Sequence, residues 1–218
     1  MSTASAMRVR RVVLIGGGEH ARVVAEAVRS VPELFELVGF VDPRPCEETA
    51  RRLGLSRLGD DSAVPPGVFG VIGVGAIGVS PVRAAIAARL TSKLAGWATV
   101  VHRAAWVSPT ASLGAGTVVM AGAVMQTGAR TGVHAVVNSG AVLEHDVVLG
   151  DYVQLGPGAL VGGAAVIGDD SYISLGACVR DHIWIGARAL VGMGAVVVAD
   201  VEDGATVAGV PARRWTRA

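Results

Sequence analysis

The sequence predicts an α/β chain in two parts: a small Rossmann-like βαβ domain over residues 1–100, then a parallel β-helix of hexapeptide repeats with a C-terminal tail over residues 101–218. Three observations carry this prediction. From Val107 onward aliphatic residues recur every six positions, and before it apolar runs alternate with helical patterns around a glycine cluster. The chain is also 51% hydrophobic but only 4% aromatic, with 30 glycines. A core of Val, Ala, Leu and Ile with Gly at corners suits short, tightly turned strands better than a helical bundle.

The first part reads in order. "RVVLIGGGEHARVVAEAV" is an apolar run, a glycine cluster and then helical spacing, hence strand, tight loop and helix. "LVGFVD" is a second strand ending in Asp42, "PRPCEETARRLG" a short helix, "VFGVIGVG" a third strand and "SPVRAAIAARLTSKL" another helix, after which "ATVVH" leads into the repeat. Such alternation implies a small parallel sheet. Gly16, Gly18 and Ala21 fit the GxGxxA form of a phosphate-binding loop, whose amides at a helix N-terminus would face a pyrophosphate. Glycine also ends strands for purely conformational reasons, and the section is short for a full dinucleotide-binding domain.

From Val107 to Glu202 the chain divides into sixteen hexads without an insertion. Fifteen first positions are aliphatic or Met, with Thr131 the exception, and ten fifth positions are Ala. A period of six fits neither a helix nor a hairpin series. It fits a β-helix in which the first position points inward, the fifth is small beside the next corner, and three hexads close a coil, so that residues 18 apart stack. This pattern resembles the hexapeptide-repeat acyltransferases, and the resemblance implies a left-handed helix and a homotrimer.

The formal net charge of +1, with mixed signs, gives no footprint for nucleic acid or an anionic membrane. The longest nearly uncharged stretch, "VPPGVFGVIGVGAIGVSPV", is broken by Pro and Gly, and the opening "MSTASAMRVRR" has no apolar signal core, so the expected location is cytoplasmic. Cys46 and Cys178 lie in different sections, and free thiols are the simpler reading.

A small βαβ domain with a GGxxH-type loop, a β-helix containing "NSGAVLEHD" and a terminal "AGVPARR" together resemble the sialic acid O-acetyltransferase and nucleotide-aminosugar N-acetyltransferase family, from about Val12 to Arg213. The resemblance implies acetyl transfer from acetyl-CoA, as co-substrate and without a metal, to the amino group of a nucleotide-linked amino sugar. In the hexad register Leu143 points inward, which turns Glu144, His145 and Asp146 outward. The resemblance makes His145 the general base, a role suited to an imidazole with an ordinary pKa of about 6.5. Asp146 becomes its acidic partner, with Glu144 as competitor, and Asn138 an orienting residue of the same subunit. Gly163 would meet the thioester oxygen, Leu175 and Met193 would line the acyl-CoA channel, and Arg213 would meet its phosphates. Gly16, Gly17, Gly18, His20 and Asp42 would bind the sugar nucleotide.

Three positions depart from the family pattern: Glu19 stands where Gly is commoner, Ala76-Ile77 where relatives often carry Asn-Asn, and Gln154 where many place a His. The rivals are O-acetylation of a sialic-acid-like sugar, a zinc enzyme of the γ-carbonic-anhydrase type, whose three-histidine spacing His134, His145 and His182 do not reproduce, and a non-catalytic trimeric scaffold.

Overall fold

The computed structural model describes residues 9–44, 47–75 and 77–216, which leaves Cys46 and Ala76 outside the described residues. β1 (Arg10–Ile15), β2 (Phe35–Val41), β3 (Arg57–Gly59), β4 (Phe69–Ile72) and β5 (Gly96–Trp97) form one parallel sheet in the order β3-β2-β1-β4-β5. Helices α1 (Glu19–Arg29), α2 (Glu47–Leu53) and α3 (Val82–Leu90) connect them. From Val12 to Ile15 β1 is a continuous apolar run because both of its faces are covered there. Val12 and Leu14 pack with Ala21, Val24 and Val28 of α1, while Val13 and Ile15 pack with Ile86 and Leu90 of α3.

The rest of the chain winds into a left-handed parallel β-helix with three faces of two-residue strands. Residues 18 apart pair throughout, as in Val136↔Gln154 on the first face, Val142↔Leu160 on the second and Val148↔Val166 on the third. The winding starts one hexad before Val107, since Val100 already pairs with Val118. First and fifth positions both point inward: Leu143, Val147, Leu149, Val153, Leu155 and Ala159 are all at most 1% exposed. Thr131 keeps the inward register because its hydroxyl meets Thr117 Oγ1 at 3.2 Å, so the buried polar group is satisfied.

The fourth position makes each corner. From Gly116 to Gly194 all fourteen of these residues have φ between +53° and +75°, and seven of them are not glycine. An L-residue held there costs roughly 1–2 kcal/mol, and Asp and Asn tolerate it best. The burial of two apolar side chains per hexad offsets that cost.

The sixteenth hexad departs from the period. Ile185 bridges Val201 and Leu190 pairs with Thr206, a spacing of 16, so the last coil is two residues short. Asp200 and Asp203 side chains accept the amides of Trp184 and Ala187 at 2.8 and 2.9 Å across this shortened coil. An antiparallel pairing of Ala208 with Arg213 then covers the final strand edge.

Two arginines lock the α/β unit onto the first face. Arg103 donates through its backbone N–H to Ser30 Oγ at 3.0 Å, through Nε to Ser30 O at 2.7 Å and through Nη2 to Glu33 at 2.7 Å. Arg83 of α3 donates to the carbonyls of His134 and Tyr152. The His134 ring stacks on Tyr152 at 5.2 Å and meets Trp97 edge-on at 4.7 Å.

Burial, reinforced by the Arg83 guanidinium and opposed by Asp151, lowers the His134 pKa to about 4. An unfolded chain's imidazole titrates near 6.5, so between these values the unfolded state binds more protons and stability drops as the pH is lowered. Thermal unfolding followed from pH 8 to pH 4 is expected to show a midpoint that this group leaves flat above about pH 7 and depresses below about pH 6.5. His134→Asn, which tolerates the left-handed corner, should shrink that acid loss.

Candidate active site

The sequence-predicted residues fall in three places. His145 and Asp146 occupy the corner between the second and third faces. Their backbones are held by rungs on either side, with Asp146 N–H donating to Thr127 O at 2.9 Å and His145 O accepting from Ala164 N–H at 2.8 Å. Asp146 takes the left-handed corner conformation, φ 59°, and its Oδ2 lies 3.0 Å from His145 Nδ1. No bond joins Glu144 to the ring among the described residues, so the carboxylate that pairs with His145 is Asp146. The two side chains are 57% and 67% exposed, and an ion pair that open contributes little to stability. Stability therefore does not account for the pairing, and a carboxylate on Nδ1 has the right geometry to fix the tautomer that leaves Nε2 as a proton acceptor.

One coil on, Gly163 lies against the free side of this ring. A methyl group built on Gly163 would overlap the His145 imidazole, so the residue is glycine for reasons of space rather than of corner geometry. Its N–H meets no acceptor among the described residues. The next coil places Asp181 and His182 at this corner with 4.0 Å between charged atoms, too long for a hydrogen bond. His134 is buried at a different corner. Among the described residues no group of three or more His, Cys, Asp or Glu stands close enough to hold a metal ion.

Asn138 does not join this pair within the chain. It precedes the second-face strand Val142–Leu143 whereas His145 follows it, and Asn138 Oδ1 instead accepts from Ser139 N–H at 2.9 Å. Leu175 and Met193, 52% and 77% exposed, stand on Asn138's corner, each beside a left-handed glycine. Within one chain the strand Val142–Leu143 separates the corners of Asn138 and His145. Arg213 lies in the terminal antiparallel strand and donates to the carbonyl of Ala212.

The third place is a cleft of about 390 Å³ between the α/β unit and the first face, lined by Gly18, Glu19, His20, Asp42, Arg44, Gly73, Val74, Gly75, Ile77, Gln154 and Tyr172. Two amides of the glycine loop are bonded within the α/β unit. Gly16 N–H donates to Val41 O and Gly17 N–H to Asp42 Oδ2, both at 2.8 Å, and both residues are buried. Asp42 Oδ1 accepts Arg44 N–H at 2.8 Å, and Thr49 Oγ1 donates to Gly17 O. Asp42 is therefore first a pin for the loop, 4% exposed, while Gly18 and the start of α1 are what the cleft reaches. Burial, then Arg83, lowers the His20 pKa to about 4, so the ring facing the cleft is neutral. Sequence reading missed Arg44 and Tyr172. The second was signalled by the period, since Tyr172 stands 18 after Gln154 and pairs with it.

Removing the loop pin should be costly. Asp42→Ala leaves the buried Gly17 amide without its acceptor, and a loss of about 1–3 kcal/mol is expected in denaturant unfolding.

Residues 11–90, within the α/β section, match the PglD N-terminal domain. The acetyltransferase domain of PglB from Neisseria gonorrhoeae FA1090, in complex with acetyl coenzyme A, superposes with a TM-score of 0.85 at 32% identity, covering 95% of this chain and 100% of that one. PerB from Caulobacter crescentus, in complex with CoA and GDP-perosamine, gives 0.81 at 34% identity, covering 94% and 97%. WeeI from Acinetobacter baumannii AYE gives 0.77 at 25% identity, covering 95% and 100%. Comparison with curated protein sequences returned no match. With the two-part fold matched over nearly its whole length at more than 30% identity, the chain belongs to the hexapeptide-repeat sugar N-acetyltransferases.

Proposed function

We propose that this chain transfers the acetyl group of acetyl-CoA to the amino group of a nucleotide-linked amino sugar by direct attack, with His145 as general base. The observation that carries the reading is His145 itself: Nδ1 is held by Asp146, and the rest of the ring lies over a glycine whose N–H is free. The amine nitrogen attacks the thioester carbonyl carbon, and Nε2 takes the proton the nitrogen sheds. Asp146 stabilises the imidazolium so formed, and the Gly163 N–H donates to the oxyanion. Collapse of the tetrahedral intermediate breaks the C–S bond, and the imidazolium returns its proton to the departing thiolate.

The site is completed between copies in a homotrimer. The sugar-nucleotide cleft covers the first face, and His145 sits at the vertex opposite that face, so the two halves of the site within one chain point away from each other. Every outward residue on the second face is Trp, Val, Leu or Cys, with Trp106 and Leu160 50% and 45% exposed, and the third face adds Val148, Val166 and Trp184. Neighbours packed on these apolar faces would bring Asn138, Leu175 and Met193 of one copy to the His145 and Gly163 corner of the next.

Thiol release from acetyl-CoA with a panel of UDP-, GDP- and dTDP-amino sugars, beside free sialic acids, tests the reading. Turnover should fall by roughly 100-fold or more in His145→Ala, within the range for a lost general base, and comparably in Gly163→Ala. Equal rates in wild type and His145→Ala would remove the base assignment, and release only with sialic acids would make the enzyme an O-acetyltransferase. Co-assembly of inactive Asn138→Ala with inactive His145→Ala chains should regain activity, because mixed trimers contain sites with both residues intact. No recovery would place the whole site within one chain.

A further inference from the structure

We propose that Arg83 is a positioning residue for the acceptor cleft, setting the distance between its two walls. This role rests on the reading of that cleft as the sugar-nucleotide site. Arg83 is the second residue of α3, is 5% exposed and has no carboxylate bonded to it among the described residues. Its guanidinium donates to His134 O at 2.9 Å and to Tyr152 O, the carbonyls of two left-handed corner residues on successive coils. A planar fork can bind both rungs at once, which a lysine ammonium on a flexible stem does not reproduce. Its Nε is buried without a partner among the described residues, so the side chain is committed to these two bonds at the expense of complete satisfaction.

The placement explains why such a charge is buried here. One wall of the cleft is the segment carrying Gly73, Val74, Gly75 and Ile77, fixed at its start by Gly73 N–H donating to Ile15 O at 2.8 Å and at its end by α3. The other wall is Gln154 and Tyr172, and Gln154 follows Tyr152 by two residues. Arg83 therefore bonds directly from the helix that ends one wall to the corner that begins the other. Arg103 joins the same two parts of the chain through Ser30 and Glu33, none of which lines the cleft, and so supplies a control that loosens the junction elsewhere.

Full-length Arg83→Met, Arg83→Lys and Arg103→Ala chains are compared with wild type by calorimetric binding of UDP, GDP and acetyl-CoA, and by hydrogen exchange of peptides covering β4 and α3. Arg83→Met is expected to weaken nucleoside diphosphate binding by about tenfold or more and leave acetyl-CoA within about twofold. Exchange should quicken in the segment between β4 and α3, with Arg83→Lys intermediate. Arg103→Ala should lower the melting temperature yet leave both affinities and that segment's exchange unchanged. Wild-type affinity and exchange in Arg83→Met would overturn the role, as would equal nucleotide losses in Arg83→Met and Arg103→Ala, which mark mere junction stability. Wild type that binds neither UDP nor GDP would instead sink the reading of the cleft, while the exchange data still decide whether Arg83 docks its wall.

Discussion

The eighteen-residue register of the β-helix is the constraint on which the molecule depends. It exists because first and fifth positions of successive hexads fill one continuous apolar interior, from Val119 to Val207, and because every fourth residue accepts a left-handed turn. A single inserted residue would turn that interior set outward, so the register is strongly specified. Once it is fixed, outward side chains become a coordinate system. His145 stands one rung from Gly163, Gln154 one rung from Tyr172, and the carbonyls of His134 and Tyr152 one rung apart.

Each chemical feature uses that coordinate system in a different way. At the His145 corner the rung neighbour must lack a side chain, because the imidazole occupies the space a Cβ would take. At the junction corner His134 stacks on the half-buried Tyr152, and His134 and Arg83 are buried against the α/β unit. At the remaining corner every fourth residue from Gly122 to Gly194 is glycine, and it carries Leu175 and Met193 into solvent. One repeating backbone thus presents an edge carrying the His145–Asp146 pair, an edge docked against the α/β unit and a glycine-lined apolar edge. The difference lies in which side chains stand at the third and fourth positions.

The two candidate sites do not touch in one chain. The α/β unit covers the first face and forms a cleft with it, whereas the His145–Asp146 pair lies at the opposite vertex. The buried Arg83 joins elements that carry the cleft's two walls, and the pinned loop leads into Gly18 on its lining. The exposed imidazole and the free Gly163 amide belong to the vertex. Apolar outer faces between them give the chain a reason to assemble.

By itself the sequence determined the period, the inward positions and the strand–glycine–helix opening, because these depend on side-chain patterning that repeats locally. Thr131, the one polar first position, still kept the register, and the outward direction of His145 followed from Leu143 alone. The short final coil escaped the pattern, since VVADVE reads as a hexad while Asp200 and Asp203 bind across a coil of 16. Tertiary structure decided which carboxylate meets His145, because that depends on the backbone turn at Asp146. It also separated Asn138 from the pair, took Gly16 and Gly17 amides out of play and buried Arg83. The last two outcomes arise from bonds between residues 25 to 69 positions apart, which local patterning does not encode.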